Sequence, residues 1–203
     1  ADAWRFYLYY NRPEKSDALF TWKDFQEKVN GELIGNLANL VNRTLTFAVR
    51  NFPDGFPAGT PTDAKFWEKV RGAEGQIADS LERIELREAF RQVFALSSVG
   101  NKRFQDEEPW KKIKENPAQA AGLIRDLVYL IRDLSVLSEP YLPATSAAIN
   151  GWLGVPACDW ANLGRLEGIG AVRPPALLFR RLEDEEIEGF RARFAGTTQA
   201  QRQ

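Results

Sequence analysis

The 203-residue chain is 44% hydrophobic, which is enough to build a sizeable core without disulfide staples. Its 27 basic and 28 acidic residues leave a formal net charge of -1, so no overall positive field attracts a polyanion. The absence of histidine removes the commonest general base and the usual zinc ligand, and the single Cys158 excludes an internal disulfide and a zinc knuckle.

The chain opens with an aromatic segment, residues 1–20, that contains an Asn-Arg-Pro turn signal. The proline disfavours helical geometry at Arg12. A stacking platform for RNA bases is one interpretation of this segment. Aromatic residues crowded at helical spacing are more often packed, so the segment favours a short helix that leans on the rest of the fold.

A long helix is predicted from Thr21 to about Asn51, with Thr21 as its N-cap. Pro53 disfavours helix beyond that point. Gly31 and Gly35 lie inside this helix and weaken it, which predicts either a kink near Gly31 or close packing against another backbone. Apolar residues recur at spacings of three and four and predict a stripe that faces a core. They are Leu33, Leu37, Leu40, Val41, Leu45 and Val49.

Polar residues repeat with the same spacing on another side of this helix. They are Glu32, Asn36, Asn39, Arg43, Thr46 and Arg50. Asn and Arg carry several donors in fixed planar geometry, which suits hydrogen bonding to nucleobases and phosphates. The ridge therefore indicates a nucleic-acid-reading surface, and the alternative is an ordinary solvated helix face.

Two more long helices follow. The first has its cap region at Asp63 and ends before Glu85. The second repeats the helical spacing from Leu86 to Gly100, where small residues permit a neighbouring helix to approach closely. A Pro-Trp pair then follows, and Trp110 has two interpretations: a ring buried at the bundle edge, or an exposed ring beside Lys111 that stacks an unpaired base.

The fourth long helix opens at Asn116 and has a broad apolar face. Its charged residues are expected on the outer face. They are Arg125, Asp126, Arg132 and Asp133. A fifth, short helix is predicted from Thr145 to Leu153, and a loop-rich tail follows, with a charged helix near 183–195 and a frayed end from Gly196. The fold class is therefore all-α, a bundle of about five main helices.

Several segments carry a family resemblance, in the same order and at similar spacings as in that family. They are Asp2-Ala-Trp-Arg-Phe-Tyr-Leu8, Asn36-Leu-Ala-Asn-Leu-Val-Asn-Arg-Thr-Leu45, Asn101-Lys-Arg-Phe104, Glu108-Pro-Trp-Lys111 and Pro140-Tyr-Leu-Pro143. With them, nearly the whole chain resembles methionyl-tRNA synthetase, in the helical domain that follows its active site and binds the anticodon.

The resemblance implies a site as well as a fold. The residues that match Asn39, Arg43, Pro109 and Trp110 form the anticodon site in that family. There the tryptophan stacks on the first anticodon base, a cytosine, while the Asn and Arg bond to it. Additional RNA contacts are expected from residues near this set. They are Asn36, Asn101, Lys102 and Lys111.

The resemblance also implies an organisation. Residues 1–20 would end the stem-contact region from the catalytic half, residues 21–153 would form the anticodon-binding bundle, and residues 154–203 would form a tail that wraps back. The partners implied are the anticodon loop of tRNA(Met) and the catalytic domain of the same synthetase. The synthetase signature motifs are absent here, so no catalytic residue, metal or cofactor is expected in this chain. ATP, with zinc as a second candidate, would belong to the catalytic half.

Two alternatives remain for the function. The first is a free-standing tRNA- or RNA-binding module of the same fold, and the second is a helical domain that binds another protein. No apolar run approaches the roughly 20 residues that a membrane helix needs. Together with the lone cysteine, this predicts a cytoplasmic protein.

Overall fold

The computed structural model describes residues 1–14, 17–156 and 159–194, and within these ranges the secondary structure is helical with no β-strand. This confirms the all-α fold class. The helices are α1 Asp2–Tyr10, α2 Trp22–Lys28, α3 Asn39–Asn51, α4 Ala64–Glu82, α5 Leu86–Glu107, α6 Pro109–Glu115, α7 Pro117–Ser138, α8 Pro143–Leu153 and α9 Asp184–Phe194. The predicted frayed end from Gly196 lies outside the described residues.

The helix starts follow the capping residues in the sequence. The Thr21 hydroxyl accepts a hydrogen bond from the Asp24 backbone N–H at 3.1 Å, which confirms the predicted N-cap of α2. Asp63 caps α4 by accepting from two backbone N–H groups, and the Asn116 side chain caps α7 by accepting from the Gln119 N–H. These caps satisfy donors that have no partner within the helix.

The predicted long helix is continuous, but its centre is not α-helical. A π-helical segment, Val29–Ala38, joins α2 to α3. Nothing lies within 4 Å of the Cβ position of Gly31, whereas the Cβ position of Gly35 lies 3.1 Å from the backbone carbonyl oxygen of Asn30 in the same segment. The irregularity takes the form of wider turns, in which each N–H bonds five residues back.

Helix α7 lies at the centre of the bundle and contacts α3, α5, α6 and α8. The prediction that its charged residues lie outside is wrong for three of the four, because Asp126, Arg132 and Asp133 are buried. Only Arg125 is partly exposed. A helix covered on all sides has no outer face, so its polar side chains must find partners inside the protein.

The buried charges of α7 are paired. The Asp126 carboxylate accepts from the Trp67 indole N–H at 2.9 Å and from the Arg103 guanidinium at 3.3 Å. Arg132 donates to Asp133 at 2.6 and 2.8 Å. Without these partners, each charge would carry a large desolvation cost.

A further buried carboxyl, Glu74 on α4, lies beside Asp133. Burial is the main cause that raises the pKa of Glu74 from 4.5 to about 8, and the neighbouring Asp133 raises it further. The cations Arg132 and Arg71 lower it in part. Glu74 therefore keeps its proton in the folded protein well above the pH at which an exposed carboxyl loses it.

The close approach predicted at Gly100 on α5 is confirmed. A Cβ atom at this position would lie 2.7 Å from a methyl carbon of Leu40 on α3 and 2.8 Å from one of Leu130 on α7. Both distances are shorter than ordinary carbon contacts, which lie near 3.5–4.0 Å. Glycine therefore lets three helices meet at this point.

The tail crosses the bundle surface. The backbone carbonyls of Asn162 and Arg165 accept hydrogen bonds from the Arg132 guanidinium of α7. Further along, Leu182 and the Asn30 side chain exchange two hydrogen bonds at 2.9 Å, and Phe190 of α9 stacks on Trp22 at 5.6 Å. These contacts tie the tail to α7 at one side, and to α2 and the π-helical segment at the other.

Candidate nucleic-acid interface

Helices α3 and α5 lie side by side and point in the same direction. Asn39 donates to the side chain of Asn101 at 3.1 Å, and Arg43 donates to the side chain of Gln105 at 3.2 Å. The two residues of each pair are 62 positions apart in the sequence. Successive turns of α3 therefore lie beside successive turns of α5. Spacing of four places each residue directly above its predecessor on the helix surface. The result is a polar seam, which we define as Asn39, Arg43, Asn101 and Gln105.

Arg43 is fixed on two sides. Its guanidinium carbon lies 3.9 Å from the centre of the Phe104 ring, and one of its terminal nitrogens donates to Gln105. Partial burial lowers the pKa of Arg43, because burial disfavours the charged form. An arginine in a protein nevertheless stays charged. Arg43 therefore presents charged, planar donors from a defined position.

Trp110 comes to the end of the seam through a sharp turn. Glu108 adopts a left-handed conformation with φ of 45°, and Pro109 then starts the short helix α6. Proline at the first position suits a helix start, where its missing N–H is not needed. Pro109 is buried and Trp110 is 39% exposed, with its ring centre 6.2 Å from that of Phe104. The indole is therefore partly accessible to solvent beside the seam.

Asn36 and Asn101 make hydrogen bonds within the protein. The Asn36 amide donates to the Phe94 carbonyl at 3.0 Å and to the Ser98 hydroxyl at 2.9 Å. Asn101 donates to the backbone and side-chain oxygens of Asn36. Asn36 therefore joins the π-helical segment to α5 next to the seam, and its amide donors are already used.

Lys102 and Lys111 lie on the surface. Lys102 pairs with Asp106 at 2.7 Å, and Lys111 pairs with Glu108 at 2.8 Å. Exposed pairs of this kind are weak and screened by salt. Both ammonium groups can therefore exchange their carboxylate partner for a phosphate.

No role was predicted from the sequence for Phe104 or Gln105. Gln105 has a signal, because it lies four residues after Asn101 on the same helix face. Phe104 has none, since a buried aromatic residue at helical spacing predicts only core packing.

In the described part of the chain, no group of three or more His, Cys, Asp or Glu side chains could hold a metal ion. No described helix is long and apolar enough to cross a bilayer.

Known protein families match the chain along most of its length. Residues 52–199 match a family model described as the anticodon binding domain of methionyl tRNA ligase, and residues 1–45 match class I tRNA synthetases (M). The methionine--tRNA ligase of Treponema pallidum is 42% identical over 97% of this chain, and that of Borreliella afzelii is also 42% identical over 97%. The chain spans 29% and 27% of the length of these two relatives.

Solved structures share the fold. The free-state methionyl-tRNA synthetase of Mycobacterium tuberculosis matches with a TM-score of 0.82 at 21% identity, over 90% of this chain and 39% of that one. The synthetase of the same organism bound by methionyl-adenylate matches with a TM-score of 0.81 at 20% identity, over 88% and 37%. At this level of identity the likeness shows a common fold.

Proposed function

Because the chain belongs to the family of methionyl-tRNA ligase anticodon-binding domains, we propose that its polar seam and Trp110 bind the anticodon loop of tRNA(Met). The observation that carries this proposal is the fixed position of Arg43, whose guanidinium lies 3.9 Å above a buried ring beside a partly exposed tryptophan. RNA-binding proteins commonly read splayed loop bases by stacking them on aromatic rings and bonding to their edges.

The two seam residues on α3 suit a cytosine. Its Watson–Crick edge carries two acceptors and one amino donor, whereas uracil reverses the donor and acceptor order at two of these positions. Arg43 supplies donors only, and the Asn39 amide supplies both a donor and an acceptor. A wrong base would leave a buried donor or acceptor unpaired, which costs more than the lost hydrogen bond. Discrimination then comes from these penalties.

Stacking contributes affinity without reading the sequence. An unpaired base stacked on Trp110 would add roughly 1–3 kcal/mol, whatever the base. We expect Lys102 and Lys111 to supply phosphate contacts, because a chain with a net charge of -1 has no overall positive field to attract RNA. We therefore expect base discrimination to depend on Arg43 and Asn39, and general affinity to depend on Trp110 and the lysines.

In the whole protein, we propose that this chain holds the anticodon while a catalytic portion joins methionine to the tRNA with ATP. ATP, and any zinc, would act there and not at the polar seam. The cytoplasm, where translation occurs, is the compartment in which we expect this activity.

The test is a titration of two labelled anticodon stem-loops, one with cytosine-adenine-uracil and one with its first base changed, at two salt concentrations. Tighter and salt-sensitive binding of the cytosine loop is expected, because phosphate contacts release counterions. Equal binding of both loops would reduce the chain to a general RNA surface. Absence of RNA binding, together with a salt-insensitive protein ligand, would favour a protein-interaction domain.

Point variants separate the two roles. Trp110→Ala should weaken binding of both loops alike, by roughly 5- to 150-fold if stacking is worth 1–3 kcal/mol. Trp160→Ala is its matched control, since Trp160 is 40% exposed but lies in the tail. Arg43→Ala should narrow the gap between the loops, whereas Arg50→Ala, two turns further along α3, should keep it. Parental binding by both Trp110→Ala and Arg43→Ala would show that the site is elsewhere.

A further inference from the structure

One buried ring touches both elements of the candidate interface. Phe104 is 4% exposed and lies on α5 between Arg43 of α3 and Trp110 of α6. The Arg43 guanidinium covers its ring at 3.9 Å, and the Trp110 ring lies 6.2 Å away with an interplanar angle of 36°. The base-reading cation and the base-stacking ring therefore share one support.

The contact with Phe104 restrains Arg43 where a hydrogen bond alone would not. A cation over an aromatic face is attracted along the ring normal, and the attraction is stronger where water is excluded. The hydrogen bond to Gln105 then limits rotation of the guanidinium within its own plane. An arginine held in this way loses less side-chain conformational entropy on binding a base than an arginine that is mobile in solvent.

We infer that Phe104 is a positioning residue for base discrimination: its ring sets the guanidinium of Arg43 and the indole of Trp110 at a fixed separation. A base stacked on the indole then meets the guanidinium at its edge without rearrangement. This inference rests on the proposed function, because it assigns Phe104 a role only in reading the RNA.

Phe104 is also a core residue, so its variants must separate positioning from packing. Its ring packs edge-on against Phe47 at 6.1 Å. Phe104→Leu keeps apolar volume and removes the ring face, whereas Phe104→Tyr keeps the face. Phe47→Leu is the matched control, because it removes an aromatic neighbour of Phe104 from α3 and leaves the ring under Arg43 in place.

The experiment is a double-mutant cycle on the ratio of the two dissociation constants, for the cytosine loop and the loop with its first base changed. Phe104→Leu should lower this preference by roughly five- to tenfold, as expected for loss of a partly desolvated cation–π contact. The double variant Phe104→Leu/Arg43→Ala should show no less preference than Arg43→Ala alone. Phe104→Tyr and Phe47→Leu should both keep the parental preference.

A second measurement does not depend on RNA. The ring current of Phe104 should shift the Arg43 side-chain N–H resonance, and this shift should vanish in Phe104→Leu and persist in Phe47→Leu. If Phe104→Leu melts below the assay temperature, Phe104→Met replaces it, since methionine fills irregular core space.

Two outcomes overturn the inference, and they are distinguishable. If Arg43→Ala loses the cytosine preference while Phe104→Leu keeps it, Phe104 is only a core residue and the proposed function stands. If the parental chain binds both loops equally, the proposed function fails and the role of Phe104 fails with it.

Discussion

Replacing Gly100 by alanine tests how tightly the three helices meet below the seam. The added Cβ would lie 2.7 Å from Leu40 and 2.8 Å from Leu130. Both leucines are fully buried and cannot swing into solvent. Overpacking of this kind costs about 1–3 kcal/mol, and two opposed neighbours favour the upper half of that range. Alanine regains about 1 kcal/mol of helix propensity, so we expect a net loss of about 1–2 kcal/mol.

The assay is thermal and urea unfolding beside two control variants. Gly72→Ala and Gly75→Ala lie in exposed turns of α4 with nothing within 4 Å of the added Cβ, so they should gain about 0.5–1 kcal/mol. For a chain of this size, 1 kcal/mol shifts Tm by about 2–4 °C. Gly100→Ala should therefore lower Tm by about 2–8 °C, while the controls raise it. A Tm for Gly100→Ala that rises with the controls would refute the packing argument.

Three further predictions concern the buried charges and a cap. Glu74 has a pKa near 4.5 unfolded and about 8 folded, so parental stability should fall as pH rises between these values. Urea unfolding of Glu74→Gln should show this slope reduced by up to about 1.4 kcal/mol per pH unit, and an unchanged slope would contradict it. Asp126→Ala should cost about 3–5 kcal/mol, because Arg103 and the Trp67 N–H lose a buried partner. A destabilisation below about 1 kcal/mol would contradict this prediction, because it would mean that solvent replaces the lost carboxylate as partner. Thr21→Ala should cost about 1 kcal/mol, whereas an unaltered stability would make this cap dispensable.

The sequence predicted the bundle well where one helix face is wet. On α3, Leu40 and Leu45 are buried and Asn39 is exposed, as the apolar period requires. The Thr21 cap could also be predicted from the sequence, because capping depends only on residues that are close in the chain. Helix capping and burial of one helix face can both be predicted from short stretches of sequence.

Prediction failed on α7 because its environment is set by other helices. Periodicity assigns a charged residue to the wet side, yet Asp133 is fully buried against α4 and the tail. The partners that satisfy α7 come from distant sequence, Arg103 for Asp126 and tail carbonyls for Arg132. No local sequence pattern encodes such pairings, so burial is hardest to predict for a helix at the centre of a bundle.

The candidate site divides in the same way. Spacing alone grouped Asn39 with Arg43, and the family resemblance added Pro109 and Trp110. It was the pairing of α3 with α5 that brought Phe104 under Arg43, and that pairing depends on the whole core. Helix α6 was not predicted from the sequence, because its 7 residues are too few for an apolar period to be recognised. The RNA-binding roles of these residues stay predictions until the titrations above.

The π-helical segment Val29–Ala38 sets the rotation of α2 relative to α3 about the common helix axis. An α-helix advances about 100° per residue and the wider turns of a π-helix advance less, so loss of a single residue here would turn α2 relative to α3 by an angle below about 100°. Trp22 would then face away from Phe190, and Asn30 would lose Leu182, while Asn39 would keep its place. Changes of length in this segment would re-aim one end of the molecule while sparing the other. We therefore expect relatives that differ in the length of this segment to differ in the orientation of α2 relative to α3.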